Sequence, residues 1–280
     1  MVGLCHHGAA DRHALPFIMM IRFALPALVW VMTCPSFAGT VAWFYALESD
    51  KAAFEISAGK AIRSVTSGSV TFHEYRMGPH KVVAAKMGSG CVATATTVST
   101  VLALAPADRL ISTGPAGALK ADVETGSWLR VDEVIAWQKG KAGENGTISA
   151  GETSTMSTGF DNAAWPAGEW RKARGVRIAS GEGFIASAAV GSEIAAATDT
   201  VAVEMNAFGL MGAVAGRPLK LLILRVVSDR ADERASEDFA AFVKMDDGAG
   251  GRMVAEIVKA LPVEANEPAA HEGLRELLEK

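Results

Sequence analysis

The sequence predicts an α/β fold, a single domain with a mainly parallel or mixed central sheet flanked by helices. Strand-like and helix-like segments alternate from residue 39 onward. Two β-branched runs, Thr200–Glu204 and Leu219–Val227, each end on polar residues. Strands of open sheets do this where their carboxyl ends meet a ligand. The chain has 280 residues, half of them apolar, so it can bury one large core. A domain of about 240 residues is ordinary for this class, and residues 39–280 are assigned to it.

Taken in order, Gly39–Leu47 reads as a first strand, followed at Glu48-Ser-Asp50 by a helix. Thr66–Arg76 alternates apolar and polar residues like one arm of a hairpin. Lys81–Met87 is a buried strand, and after Gly88-Ser-Gly90 a helix places Val92, Ala95, Val98 and Leu102 at helical spacing until Pro106. Arg109–Thr113 is the next strand and runs into Gly114-Pro-Ala-Gly117. Residues 138–172 show no clear period; irregular segments of such length are more often binding loops or lids than connectors. Val176–Ala179 is a strand and Ser187–Ala197 a helix. A Gly- and Ala-rich helix at Ala207–Ala215, expected to pack closely on the sheet, separates the two β-branched runs. Ser236-Glu-Asp-Phe places an N-cap serine before first-turn acids and opens a late helix.

The first 38 residues read as an extension ending in a secretory signal. Arg22 is followed by the apolar run Phe23–Met32, then by small residues at Ser36 and Ala38. The apolar run is too short for a comfortable membrane span. The expectation is an exported, periplasmic protein with no stable membrane span after processing; without a signal it would be cytoplasmic. Met19 and Met20 leave the true start open. Cleavage after Ala38 would leave Cys91 as the single thiol, which excludes an internal disulfide, and its surroundings of Gly, Val and Ala suit a small buried residue.

The net charge of −4 argues against a nucleic-acid partner and favours a small molecule. Gly88-Ser-Gly-Cys-Val-Ala93 matches a dinucleotide-binding turn between strand and helix, where glycines let an anion approach backbone amides. That reading needs an acid at the end of the following strand, which instead ends Ile111-Ser-Thr-Gly114. His6, His7, His73 and His80 have no metal-ligand spacing with a partner, so neither metal nor cofactor is implied.

Four blocks in order carry a resemblance. They are Ala46-Leu-Glu48, the Gly88 turn with Ser112-Thr-Gly-Pro-Ala-Gly-Ala-Leu119, Glu204-Met-Asn206, and Leu224-Arg-Val-Val-Ser-Asp229. Across about residues 40–245 the chain resembles the purine nucleoside and uridine phosphorylases, and within them the methylthioadenosine/S-adenosylhomocysteine nucleosidases. The resemblance implies that Asp229 protonates the departing purine, that Glu48 activates the attacking water, and that Arg225 helps to place it. It also implies that Glu204, Met205, Asn206, Ser228, Gly114, Phe184 and Ile185 contact the substrate, and that the protein is a homodimer. Such a division of labour fits glycosyl transfer, where one carboxyl must be protonated and one ionised. Each residue also has a plain structural reading: Asp229 as a turn cap, Arg225 as a strand-end ion pair, Glu48 as a solvated helix-start acid.

Two departures bear on the reaction. Asn206 stands where the family carries a glutamate for the ribose hydroxyls, which implies weaker ribose affinity or an altered sugar. Pro115 and Ser112 stand where phosphorylases carry a serine and an arginine for phosphate. Hydrolysis of an adenine-type nucleoside is therefore the expected reaction. Phosphorolysis, and nucleoside binding without turnover, remain the alternatives.

Overall fold

The computed structural model describes residues 38–263 apart from 139, 143–147 and 151–154. The signal reading of the first 38 residues lies outside them, except for Ala38. The elements are β1 (Gly39–Tyr45), α1 (Glu48–Ala58), β2 (Arg63–Ser67), β3 (Val70–Met77), β4 (His80–Lys86), α2 (Cys91–Leu104) and β5 (Arg109–Ala118). Next come β6 (Trp128–Ala136), the short β7 (Gly140–Ala142), β8 (Ile148–Ala150) and β9 (Thr155–Ser157), then β10 (Arg174–Ser180), α3 (Ala188–Thr198) and β11 (Ala202–Glu204). The chain continues through α4 (Ala207–Val214), β12 (Lys220–Asp229), α5 (Ala235–Met245) and α6 (Ala249–Ala260). Among the described residues no helix is long and apolar enough to cross a membrane.

The sheet is mixed, as expected, and runs β11-β10-β6-β12-β5-β1-β4-β3-β2. Its centre is parallel: Trp43 pairs with Ile111 and Ala84, and Ile111 with Leu222. This brings the carboxyl ends of β1, β4, β5 and β12 to one rim. Two antiparallel pairings, Arg225 with Leu129 and Val203 with Gly117, close β5, β12, β6, β10 and β11 into a ring. Five consecutive buried residues from Val41 to Tyr45 explain why β1 is so apolar, since both its faces are covered. Ala42 and Phe44 face a core shared with Val98, Leu102 and Leu210 from α2 and α4. Val41, Trp43 and Tyr45 face the opposite core, with Phe54 of α1 and Val254, Ile257 and Val258 of α6.

The structure amends three expectations and adds a helix. Thr66–Arg76 is not one arm but the tip and second arm of a hairpin turning at Gly68–Ser69. Val92 is exposed, because α2 buries Thr94, Thr97, Val98, Val101 and Leu102 instead. The late helix begins one residue before Ser236, and Asp232 Oδ1 accepts the Arg234 N–H just ahead of it. The chain also holds an eleventh-hour helix, α6, that the glycines at 248, 250 and 251 disguise as a loop. Those glycines permit close packing on α1: a Cβ on Gly251 would lie 1.8 Å from the Asp50 carbonyl oxygen. Buried Asp50 in turn accepts the Gly251 N–H at 3.1 Å and the Thr113 hydroxyl at 2.8 Å.

Candidate active site

At the rim where the parallel strands end lies a cavity of about 180 Å³. Ala46 and Leu47 reach it from the end of β1, Lys86 and Met87 from β4, and Pro115, Ala116 and Gly117 from β5. Val203, Glu204 and Met205 come from β11, and Ser228 and Asp229 from β12. Phe184 and Phe239 meet edge-on over it, with ring centroids 5.8 Å apart. A smaller adjoining space of about 30 Å³ adds Gly183, Ile185 and Ala231 beside Asp229.

Neighbouring residues of a regular strand face opposite sides, yet Ser228 and Asp229 both line this cavity. The register explains it. Val227 pairs with Ala116 and Asp229 with Gly117, which leaves Ser228 as the extra residue of a bulge. The buried Asp229 accepts the Ala231 N–H through Oδ1 at 2.9 Å and the Ser228 hydroxyl through Oδ2 at 2.7 Å. Burial pushes its carboxyl above the ordinary range; those two hydrogen bonds oppose the shift, and the Asp232 and Asp238 charges add to it. Ser228 Oγ also lies 3.3 Å from the Ala116 carbonyl. Its proton can therefore turn there when Asp229 carries a proton of its own. A carboxyl raised in this way on a cavity wall is better placed than an ordinary one to hold and donate a proton.

Glu204 and Arg225 form one buried unit. Arg225 Nε donates to Glu204 Oε2 at 3.0 Å, and Nη2 lies 3.0 Å from the same oxygen but off the hydrogen-bond axis. Nη1 donates to Ser112 Oγ at 3.1 Å and to the Leu224 carbonyl at 2.9 Å. Glu204 also accepts the N–H groups of Asn206 and Ala207, placing its charge on the N-terminus of α4. Arg225 is thus the strand-end ion pair that was its other reading. It is absent from the cavity lining and acts through Glu204.

Three further residues sit differently from the sequence expectation. Glu48 is 64% exposed, pairs with Lys86 Nζ at 3.0 Å, and is outside the lining; its neighbours Leu47 and Lys86 form that edge of the cavity. Asn206 turns its amide away, donating to the Gly88 carbonyl at 2.7 Å and to Thr94 Oγ1 at 2.6 Å. Gly114 is a packing position, where a Cβ would lie 3.1 Å from that of Ala46. Sequence reasoning missed Lys86, Met87, Ser89 and Phe239. Lys86 and Met87 end the strand that leads into the turn weighed for dinucleotide binding, Ser89 belongs to that turn, and Phe239 reads as an ordinary apolar helix residue.

That turn holds an internal anion. Glu182 Oε1 accepts the Val92 N–H at 2.9 Å, so a carboxylate of the chain itself occupies the N-terminus of α2 where a phosphate would bind. Among the described residues no three His, Cys, Asp or Glu side chains are grouped to hold a metal. A larger hollow of about 580 Å³ lies between residues 122–129, 169–174 and α6. Arg174 pairs there with Asp122 at 2.9 Å and Lys172 with Glu169 at 2.6 Å, and the hollow holds no buried carboxyl. Of the two, the smaller cavity is the one lined by buried carboxyls, Glu204 and Asp229.

Residues 42–261 match the family described as the phosphorylase superfamily. No curated protein sequence matches the chain. Among solved structures, it is similar to the 5'-methylthioadenosine/S-adenosylhomocysteine nucleosidase of Neisseria meningitidis, at 27% identity and a TM-score of 0.65, over 79% of this chain and 99% of that one. The corresponding Helicobacter pylori nucleosidase shares the fold at 17% identity and a TM-score of 0.67, over 79% and 98%. The futalosine hydrolase of the same organism is equally similar in fold, at 16% and 0.67, over 79% and 97%.

Proposed function

Since the chain belongs to the phosphorylase superfamily, we propose that it is an N-glycosyl hydrolase acting on purine nucleosides of the adenine type. The observation that carries this reading is Asp229: buried, raised in pKa, and set between the strand ends and the Phe184–Ile185 loop. In the proposed reaction the Asp229 proton passes to the purine as the C1′–N bond breaks. Water adds to C1′ on the opposite side and yields its proton to a carboxylate. Glu48 is assigned that base, and its pair with Lys86 opens as substrate enters. The balance is nucleoside plus water to free base plus sugar. Arg225 and Glu204 position the floor beneath.

Two features support water over phosphate. Ser112 is engaged by Arg225, and Pro115 lines the cavity without a donor to offer an anion. The nucleosidase relatives support an adenine base, and the futalosine hydrolase likeness makes the substituent on the sugar a matter for assay. Purified protein incubated with methylthioadenosine, S-adenosylhomocysteine, adenosine and inosine, with and without phosphate, decides. Phosphate-independent release of base that is lost in Asp229→Asn is the expected result. Release only with phosphate makes it a phosphorylase, and ligand-induced thermal stabilisation without release makes it a binding protein. Export directed by residues 20–38 and assembly as a homodimer are further proposals, tested by N-terminal sequencing from cell fractions and by light scattering.

A further inference from the structure

We propose that the sugar end of the cavity takes a hydroxyl-poor sugar, so that purine 2′-deoxynucleosides bind better than ribonucleosides. This rests on the nucleosidase reading for which end holds the base. With the purine against Asp229, the sugar falls mainly among the apolar Ala46, Leu47, Met87, Pro115, Val203 and Met205, with Lys86 and Ser89 on the same lining. Asn206, Thr94 and the Gly88 carbonyl are engaged with one another. Asn206 Nδ2 donates to both Gly88 O and Thr94 Oγ1, and Thr94 Oγ1 donates to Gly88 O at 3.2 Å. This closed triangle ties the end of β11 to the turn before α2 and withdraws the amide from the cavity.

Glu204 does reach the lining, but both its oxygens already receive backbone N–H groups and one receives Arg225. Asp229 serves the base end, and its oxygens receive Ser228 and Ala231. A ribose entering here meets only carboxylates whose oxygens already accept from the chain itself. A buried hydroxyl left without a partner disfavours binding by roughly ten-fold, whereas a deoxysugar meets apolar surface that suits it. An apolar pocket of this kind discriminates modestly, by about ten- to a hundred-fold.

The test measures calorimetric Kd values for 2′-deoxyadenosine and adenosine on the full chain carrying Asp229→Asn, which does not consume them, alongside kcat/KM on the unaltered protein. The expected result is deoxyadenosine binding about ten-fold more tightly, with the ratio reversed when Asn206→Glu adds a carboxylate. Thr94→Val, which opens the triangle, should shift the ratio toward adenosine and stands in if Asn206→Glu does not fold. Tighter binding of adenosine, or a ratio indifferent to both variants, overturns the proposal. If the ratio is as expected but the unaltered protein releases no base, the hydrolase reading fails and this one stands. If base is released with ribose bound more tightly, only this one fails. Binding of neither overturns both.

Discussion

Glu182 fills the space that a side chain at Gly90 would need: an added Cβ would lie 2.0 Å from Glu182 Oε2. Gly90 has φ +95° and immediately precedes α2. Glu182 is held from the other side as well, its N–H donating to Gln138 Oε1. Two residues on, Phe184 forms part of the cavity wall. The contact therefore fastens the loop of Gly183–Ile185 to the first turn of a core helix.

Gly90→Ala should lose stability twice over, through positive φ and through collision with Glu182. A loss of about 1–3 kcal/mol follows from the backbone alone, measurable by urea denaturation. Glu182→Ala should unfold nearly as the unaltered protein does but raise KM by roughly ten-fold with kcat less affected, because placement and not a proton is lost. An unchanged KM would separate the loop from substrate binding.

In the proposed reaction Asp229 sets the pH dependence of turnover. Its carboxyl is raised by burial, so the protonated form that donates to the purine persists above the ordinary carboxylate range. kcat/KM should fall as pH rises through that raised value. Asp229→Asn should cost about 10²- to 10⁴-fold in kcat and erase that limb of the profile. A pH–rate profile identical in shape for the two proteins would assign the limb to another group.

The Glu204–Arg225 pair is fully enclosed, and removing either member strands a buried charge. Arg225→Met or Glu204→Leu alone should cost about 3–5 kcal/mol of folding stability. The double variant should lose clearly less than the sum of the two, leaving mainly the lost support of the α4 N-terminus. Additive losses in equilibrium denaturation would mean the charges do not interact.

Asp50 gives stability its own pH dependence. Burial pushes its carboxyl from 3.8 up to about 6, against the hydrogen bond from Thr113. The folded chain therefore binds this proton more tightly than the unfolded chain does. Stability from this group is greatest near and below pH 4 and falls as pH rises to about 6, a swing of roughly 3 kcal/mol. Comparing Tm against pH for Asp50→Asn and the unaltered protein isolates it. The variant should lack the decline between pH 4 and 6.

Much of this was legible in the residues. The runs Thr200–Glu204 and Leu219–Val227 read as strands and fold as β11 and β12, and the helix read over Ser187–Ala197 is α3, with the Ser187 hydroxyl accepting the Val190 N–H. β6 escaped because its alternation is broken. Val131 pairs with Val176 and Glu133 with Arg177, which leaves Asp132 as an extra residue. Side-chain direction escaped as well. Spacing placed Asn206, Arg225 and Glu48 near the rim. Only the fold shows that the amide of Asn206 bonds backward to Gly88, that Arg225 lies beneath the floor, and that Glu48 reaches outward to Lys86.

The pairing of Val203 with Gly117 has a consequence for how molecules meet one another. A sheet that curls back on itself at one end leaves the other end of its main run as the border that a foreign strand can join. Along the main run of strands that border is β2, Arg63-Ser-Val-Thr-Ser67, polar, largely exposed, and carrying an arginine already bound to Glu74. Such a border is a poor template for edge-to-edge growth. The closure that fixes the active-site floor thereby also makes the molecule reluctant to polymerise.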